Sequence, residues 1–320
     1  MDKIRIGILG AADIAKRKFL PSLLKSSTAV FAGVASNSSW DKAKKLAYDF
    51  GGKAYKSYEE ILEDKEIDAV YIPLPPSFHA KWIKNALEAG KHVLSEKPFT
   101  TSYADTKSII SLSEKKNLAV FENYGFIYSD QIRLMKKLLA EGAIGDLRQI
   151  EASFGFPKRD ASDFRNVKSL GGGALLDAGG YTIRAATIFL GDNPVVRASV
   201  LREASDHDVD FWDSILMTDD NNISALLSFG MDNLYRCTVR LWGSTGEMYT
   251  DRAFTAPSDL KVPITVKTSD GETVYRSEAS DQFLLSIENF TAEIRDSSLR
   301  ADTNSAVLLQ SRLADQAMHG

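Results

Sequence analysis

Short apolar runs separated by helix-spaced segments fill the first third of the chain. The runs are Ile4–Leu9, Val30–Ala35, Ala69–Ile72, His92–Ser95 and Ala119–Phe121. Brief, non-alternating runs of this kind suit strands buried on both faces. Tyr58–Leu62 and Lys81–Ala89 carry helical spacing, the latter with Trp82, Ala86 and Ala89 along one side and Gly90 where a helix stops. Strand and helix in alternation predict a parallel sheet with right-handed crossovers.

After Tyr124 the period changes. A helix is expected over Ile132–Ala140, closing near Gly142 and Gly145. Beyond it, Ile150, Ala152 and Phe154 alternate with Glu151, Ser153 and Gly155, and Cys237, Val239 and Leu241 alternate with Thr238, Arg240 and Trp242. That alternation marks half-buried antiparallel strands. Asp219–Asn222 reads as the turn between Phe211–Met217 and Ile223–Phe229, and Ser269-Asp270-Gly271 as another. Helical segments at Phe283–Arg295 and Ser305–Met318 close the chain. The expected fold is an α/β Rossmann domain over 1–123, followed by an α+β domain with a large open antiparallel sheet over 124–320. The 320 residues suit two domains at about 150 each.

Composition excludes several classes. Lys+Arg numbers 39 against Asp+Glu 43, a net charge of −4, so nothing favours nucleic-acid binding. The single cysteine, Cys237, rules out an internal disulfide and a cysteine-rich zinc site. His79, His92, His207 and His319 are scattered, and Asp206-His207-Asp208 reads as a loop tripeptide, so no metal is expected. No segment approaches the roughly 18 apolar residues of a membrane span, and Ile4–Leu9 is too short for a signal peptide. A cytoplasmic protein is the expectation.

The loop Gly10-Ala11-Ala12-Asp13-Ile14 follows the first run. Against G-x-G-x-x-G/A, its positions are Gly10, Ala12 and Ala15: a tight turn, a close approach for a pyrophosphate, and a helix packed near its strand. Ala12 puts a methyl group where the pattern has glycine, and a plain strand–helix turn is the alternative. Position inside an N-terminal βαβ unit favours a dinucleotide. After the second run, Ser36-Asn37-Ser38 and Lys42 stand where an acid would grip a ribose hydroxyl. That absence favours NADP(H), with NAD(H) retained as the other cofactor; an ordinary polar loop is the plain reading. Pro73-Leu74-Pro75 ends the third run at the sheet edge where ligands bind. His79 beyond it is either a cofactor-loop residue or a polar residue starting a helix.

The fourth run ends in Glu96-Lys97-Pro98. A lysine there points into the cofactor crevice, unless it is one of the many that lie on a surface. Gly171-Gly172-Gly173 then feeds a segment carrying Asp177 and Tyr181, four apart and so on one helical face. An ammonium, a phenol and an acid beside a nicotinamide make a reductase group: Lys97 polarises the oxygen, Tyr181 moves the proton, and Asp177 orients Lys97 or the substrate. For Tyr181 the plain alternative is a packed aromatic.

Gly7-x-x-Gly10, Glu96-Lys97-Pro98, Glu141-Gly142-x-x-Gly145 and the Gly-Gly-Gly-Ala-Leu-x-Asp-x-Gly run together resemble the glucose–fructose oxidoreductase/inositol dehydrogenase/rhizopine-catabolism (Gfo/Idh/MocA) family. The resemblance spans nearly the whole chain. It implies the two-domain fold above and hydride transfer between NAD(P) and a sugar carbonyl or alcohol. Tyrosine at 181, Glu122-Asn123-Tyr124 and Asp163-Phe164-Arg165 are similar to the branch of NDP-hexose 3-ketoreductases. On that resemblance Glu122 approaches the cofactor, and the substrate is a keto sugar linked to a nucleotide. Tyr124 and Phe126 line the substrate cleft or pack between domains; Arg165 binds a substrate hydroxyl or phosphate, or forms a salt bridge. Tyrosine at 181 also fits a dehydrogenase of a free sugar or dihydrodiol. A cofactor-binding redox sensor is the non-enzymatic alternative. A homodimer or homotetramer through the second domain's sheet is expected, since one face of that sheet needs cover.

Overall fold

The computed structural model describes residues 2–203 and 208–319, in two compact units. His207 lies outside the described residues.

The first unit holds the residues up to Asn123 together with Phe283–Ser311. Its strands are β1 (Ile4–Leu9), β2 (Ala29–Ala35), β3 (Lys53–Tyr55), β4 (Ala69–Ile72), β5 (His92–Ser95) and β6 (Val120–Glu122). They form one parallel sheet in the order β3-β2-β1-β4-β5-β6. Ile6, Ile8, Val34, Val70, Ile72 and Val93 are wholly buried, as expected for strands covered on both faces. Between the strands run α1 (Leu20–Leu23), α2 (Trp40–Phe50), α3 (Tyr58–Glu63), α4 (His79–Glu88) and α5 (Tyr103–Lys116). Ser39, Ser57 and Ser102 each cap a helix start, accepting from Lys42, Glu60 and Asp105 backbone N–H groups. β3 is absent from the sequence reading because three residues, Lys-Ala-Tyr, show neither an apolar run nor alternation.

The second unit holds Tyr124–Gln282 with residues 312–319. After α6 (Asp130–Ala140) come β7 (Leu147–Gly155) and α7 (Gly180–Phe189). The remaining strands are β8 (Val195–Val200), β9 (Trp212–Thr218), β10 (Ser224–Gly230), β11 (Arg236–Gly243), β12 (Gly246–Thr250), β13 (Pro263–Thr268) and β14 (Gly271–Arg276). All eight strands join in the order β14-β13-β12-β11-β7-β10-β9-β8. Every pair is antiparallel except β7 with β10, which run parallel. One face buries Ile150, Ala152, Ala225, Leu227, Val239 and Leu241; the other leaves Trp212, Leu226 and Trp242 exposed.

The closing helices are α8 (Gln282–Arg295) and α9 (Arg300–His319). The sequence reading put all of 124–320 in one domain, but Phe283–Ser311 packs in the first unit. Side-chain bonds explain why. Glu288 accepts from Ser26 Oγ at 2.6 Å and Thr28 Oγ1 at 2.7 Å, and Thr106 bonds Ser311 at 2.9 Å. Phe290 packs near Phe121, with ring centroids 5.9 Å apart. Helical periodicity reveals that a helix has an apolar face but not which sheet that face covers. Among the described residues no helix is long and apolar enough to cross a membrane.

Candidate active site

β1 delivers the chain into Gly10, whose φ of +122° is open to glycine and strained for other residues. A Cβ there would sit 2.8 Å from Leu74 Cδ2. The turn presses Gly10 against the Pro73-Leu74-Pro75 loop, so the first two candidate cofactor segments are neighbours. Ala11, Ala12 and Ile14 are half-buried and Asp13 is exposed, paired with Arg17 one turn on. Ala11 and Ala12 lead into a helix that opens at Asp13, so the N–H groups of Asp13 and Ile14 fall in its first turn, where a helix supplies no partner. Such a turn suits an anion. Ala15 is wholly buried, which the third position of the motif requires.

At the end of β2, Ser36 is buried and its hydroxyl lies 3.2 Å from that of Ser38. Asn37 and Ser38 are exposed. Lys42 is exposed on the first turn of α2, and no described ion pair engages it, whereas Lys44 pairs with Asp41 and Lys45 with Asp49.

His79 is wholly buried at the start of α4, its Nδ1 2.7 Å from Pro98 O and its Nε2 2.7 Å from Leu74 O. Burial holds its pKa below the ordinary histidine value, against the pull of those carbonyls. The ring thus joins the Leu74 loop to the segment carrying Lys97. Glu96 accepts from Tyr71 Oη at 2.7 Å and from Asn123 Nδ2 at 2.6 Å. Burial pushes its carboxyl above the usual range. Tyr71 stacks on Phe19 with centroids 3.7 Å apart. Lys97 is half-buried beside this group, and the Lys97–Pro98 bond is cis. Glu122 accepts from Phe99 N at 2.7 Å, just past the lysine. Tyr71 went unnoticed in the sequence because β4 reads as a plain apolar run, and Asn123 stood out only as part of Glu122-Asn123-Tyr124, with no sign of its bond to Glu96.

In the second unit the triple glycine wraps a short turn at Phe164–Asn166. A Cβ on Gly172 would lie 2.4 Å from Arg165 O, and one on Gly173 2.2 Å from Asp210 Oδ1. Leu175–Gly179 is a wide π-turn that runs directly into α7. Asp177 stands in that turn and Tyr181 at the second residue of α7. Asp210 accepts from Leu175 N at 2.5 Å and takes a helix-capping role no sequence signal announced. Arg165 Nε donates to Asp177 Oδ2 at 2.6 Å and Nη1 to Asp163 Oδ1 at 3.1 Å.

Tyr181 is half-buried in an aromatic box. Its ring centroid lies 5.0 Å from Phe154, 5.2 Å from Tyr124, 5.7 Å from Phe254 and 5.9 Å from Phe126. Edge contacts with Phe154 and Tyr124 fix the ring plane and with it the position of the phenolic oxygen. Tyr124 and Phe126 are each 1% exposed and serve as walls of the box. Among the described residues no His, Cys, Asp and Glu cluster has the make-up of a metal site.

Two family models match the chain. One, described as an oxidoreductase family with an NAD-binding Rossmann fold, covers residues 4–124. The GFO/IDH/MocA C-terminal domain covers 132–249. A dTDP-3,4-didehydro-2,6-dideoxy-alpha-D-glucose 3-reductase from Actinomadura kijaniata is 37% identical over 99% of this chain and 95% of its own. Its namesake from Streptomyces violaceoruber is 39% identical over 99% and 96%. The structure of KijD10, a 3-ketoreductase from Actinomadura kijaniata in complex with NADP and TDP-benzene, matches with TM-score 0.97 at 37% identity, covering 100% of this chain and 98% of that one. KijD10 has also been solved with one lysine replaced by alanine and with one tyrosine replaced by phenylalanine.

Proposed function

The chain belongs to the GFO/IDH/MocA oxidoreductase family, and we propose from this that it reduces the 3-keto group of a dTDP-linked deoxy sugar with NADPH. The observation that carries the reading is end-to-end relatedness to 3-reductases acting on such sugars. The first unit fits the cofactor: the turn from Gly10 through Ala12 into the helix opening at Asp13 suits a pyrophosphate. Ser36, Asn37, Ser38 and Lys42, which no described ion pair engages, suit a 2′-phosphate, with no acid among residues 36–38 where one would grip a ribose hydroxyl.

When bound, NADPH supplies a hydride to the carbonyl carbon. Tyr181 gives its phenolic proton to the carbonyl oxygen, so ketone becomes alcohol. Lys97 hydrogen-bonds that oxygen, and its charge makes the phenol a better acid. Asp177 orients the substrate or the lysine. The aromatic box holds Tyr181 to one ring plane, so the hydroxyl is positioned before the substrate arrives. In support, the lysine and tyrosine replaced in KijD10 stand as far apart along that chain as Lys97 and Tyr181 do here.

Fluorescence titration with NADPH and NADH, then turnover on a dTDP-linked 3-keto sugar, tests the reading. NADPH is expected to bind at least about tenfold tighter. Lys97→Ala and Tyr181→Phe should each lower turnover on the order of 100-fold while NADPH binding survives. Wild-type turnover in both variants would remove the proposed pair.

A further inference from the structure

Arg165 sits where a basic residue invites assignment to a substrate phosphate, yet two of its three guanidinium nitrogens already donate to carboxylates of its own unit. Nε donates to Asp177 at 2.6 Å, Nη1 donates to Asp163 at 3.1 Å, and the guanidinium lies over the Phe164 ring at 4.6 Å. The three charged side chains are only 21%, 12% and 19% exposed for Arg165, Asp177 and Asp163. Burial works against the charge of Arg165, but Asp177 and then Asp163 outweigh it and raise its pKa.

The backbone holds the same arrangement. Asp163 Oδ1 also accepts from Arg165 N at 3.0 Å, fixing the base of the side chain. Gly173 N donates to Arg165 O at 3.0 Å, and Gly172 has no room for a Cβ against that carbonyl. The turn bearing Arg165 is thus clamped to the glycine loop that leads into Asp177 and Tyr181. A fork held at its base and along its plane gives Asp177 little rotational freedom. Around Asp177, Tyr181 stands a turn further along and Asp210 caps the same helix start.

We propose that Arg165 is a positioning residue, holding the Asp177 carboxylate ionised and in one orientation rather than binding the substrate itself. The proposal rests on the functional reading above for its kinetic arm and on this unit alone for its structural arm.

Arg165→Gln and Arg165→Lys test it in the full chain. The Asp177 carboxyl, followed by 13C NMR, should titrate about one pH unit higher in Arg165→Gln, since an opposite charge has been removed. On the dTDP-linked keto sugar, kcat should fall by about tenfold or more and the acid limb of its pH profile should move upward. Binding of dTDP should stay within about twofold. Arg165→Lys keeps the charge and loses the fork, so it should recover part of kcat. If the glutamine variant does not fold, the lysine variant decides: unchanged kcat and an unchanged Asp177 titration overturn the proposal. Loss of dTDP binding with kcat held overturns it in favour of a substrate contact. Should the wild type reduce no dTDP-linked sugar, the functional reading falls, and the Asp177 titration still judges Arg165.

Discussion

Glu293 is 5% exposed at the end of α8, and burial pushes its pKa up to about 7, against a 2.6 Å bond from Thr303 and the nearby charge of Arg300. A carboxyl raised in the folded state binds its proton more readily folded than unfolded. Its contribution is therefore fully present below the unfolded value of about 4.5 and is lost as pH rises through about 7. The loss is on the order of 3 kcal/mol. Glu293→Gln keeps the bond to Thr303 and removes the charge. Urea midpoints should agree between variant and wild type near pH 4.5 and diverge near pH 8, with the variant the more stable. Parallel curves would show that the charge is not confined. Chemistry of this kind is hard to read from a sequence. Gly10 was legible because one dihedral constraint and one motif coincide there, but Glu293, Asp210 and Tyr71 look ordinary until packing supplies their neighbours. Arg165 shows the same limit: the residue stood out, while its two carboxylate partners, two and twelve positions away, decide what its charge is for.

At the level of elements, β1, β4 and β5 were readable to the residue, because strands buried on both faces are written as uninterrupted apolar runs. The parallel pairing of β7 with β10 was not, since alternation reports which face is wet and says nothing of strand direction. The start of the segment carrying Tyr181 depends on a cap from a distant loop. Asp210 Oδ2 accepts from Leu175 N, Ala174 N donates to Asp210 O at 2.9 Å, and Gly173 clears the space. A carboxylate at a helix start satisfies an orphan N–H and faces the positive end of the dipole. Asp210→Ala should therefore cost about 1–2 kcal/mol and raise amide exchange at Leu175 and Leu176. Asp210→Asn, which still accepts a hydrogen bond, should recover most of that. A thermal midpoint unmoved by alanine would show that the turn is held by the glycine loop alone.

For the whole molecule, the outer face of the second unit's sheet poses the remaining question. Ala198, Leu216, Leu226, Glu151, Arg240, Tyr249, Thr265 and Val274 follow one cross-strand line from β8 to β14. Trp212, Leu226, Trp242 and Val274 are 43%, 42%, 57% and 51% exposed on this face. Scattered apolar residues are ordinary on a surface, but a broad sheet face that exposes two tryptophans around Glu151, Arg236 and Arg240 is the kind on which subunits meet. We propose that two copies of the chain pair through it, burying about 800 Å² on each, the size of a standard interface. Light scattering at micromolar concentration should then give twice the chain mass or a multiple of it. Leu226→Lys is a suitable probe, because Leu226 is exposed and pairs across the strand with Glu151, so the new ammonium gains a partner within its own sheet. Fold stability should change by no more than about 0.5 kcal/mol, while a charge placed in the interface weakens pairing by about tenfold or more. A monomeric wild type, or a variant that associates as the wild type does, would leave this face without a partner of its own kind.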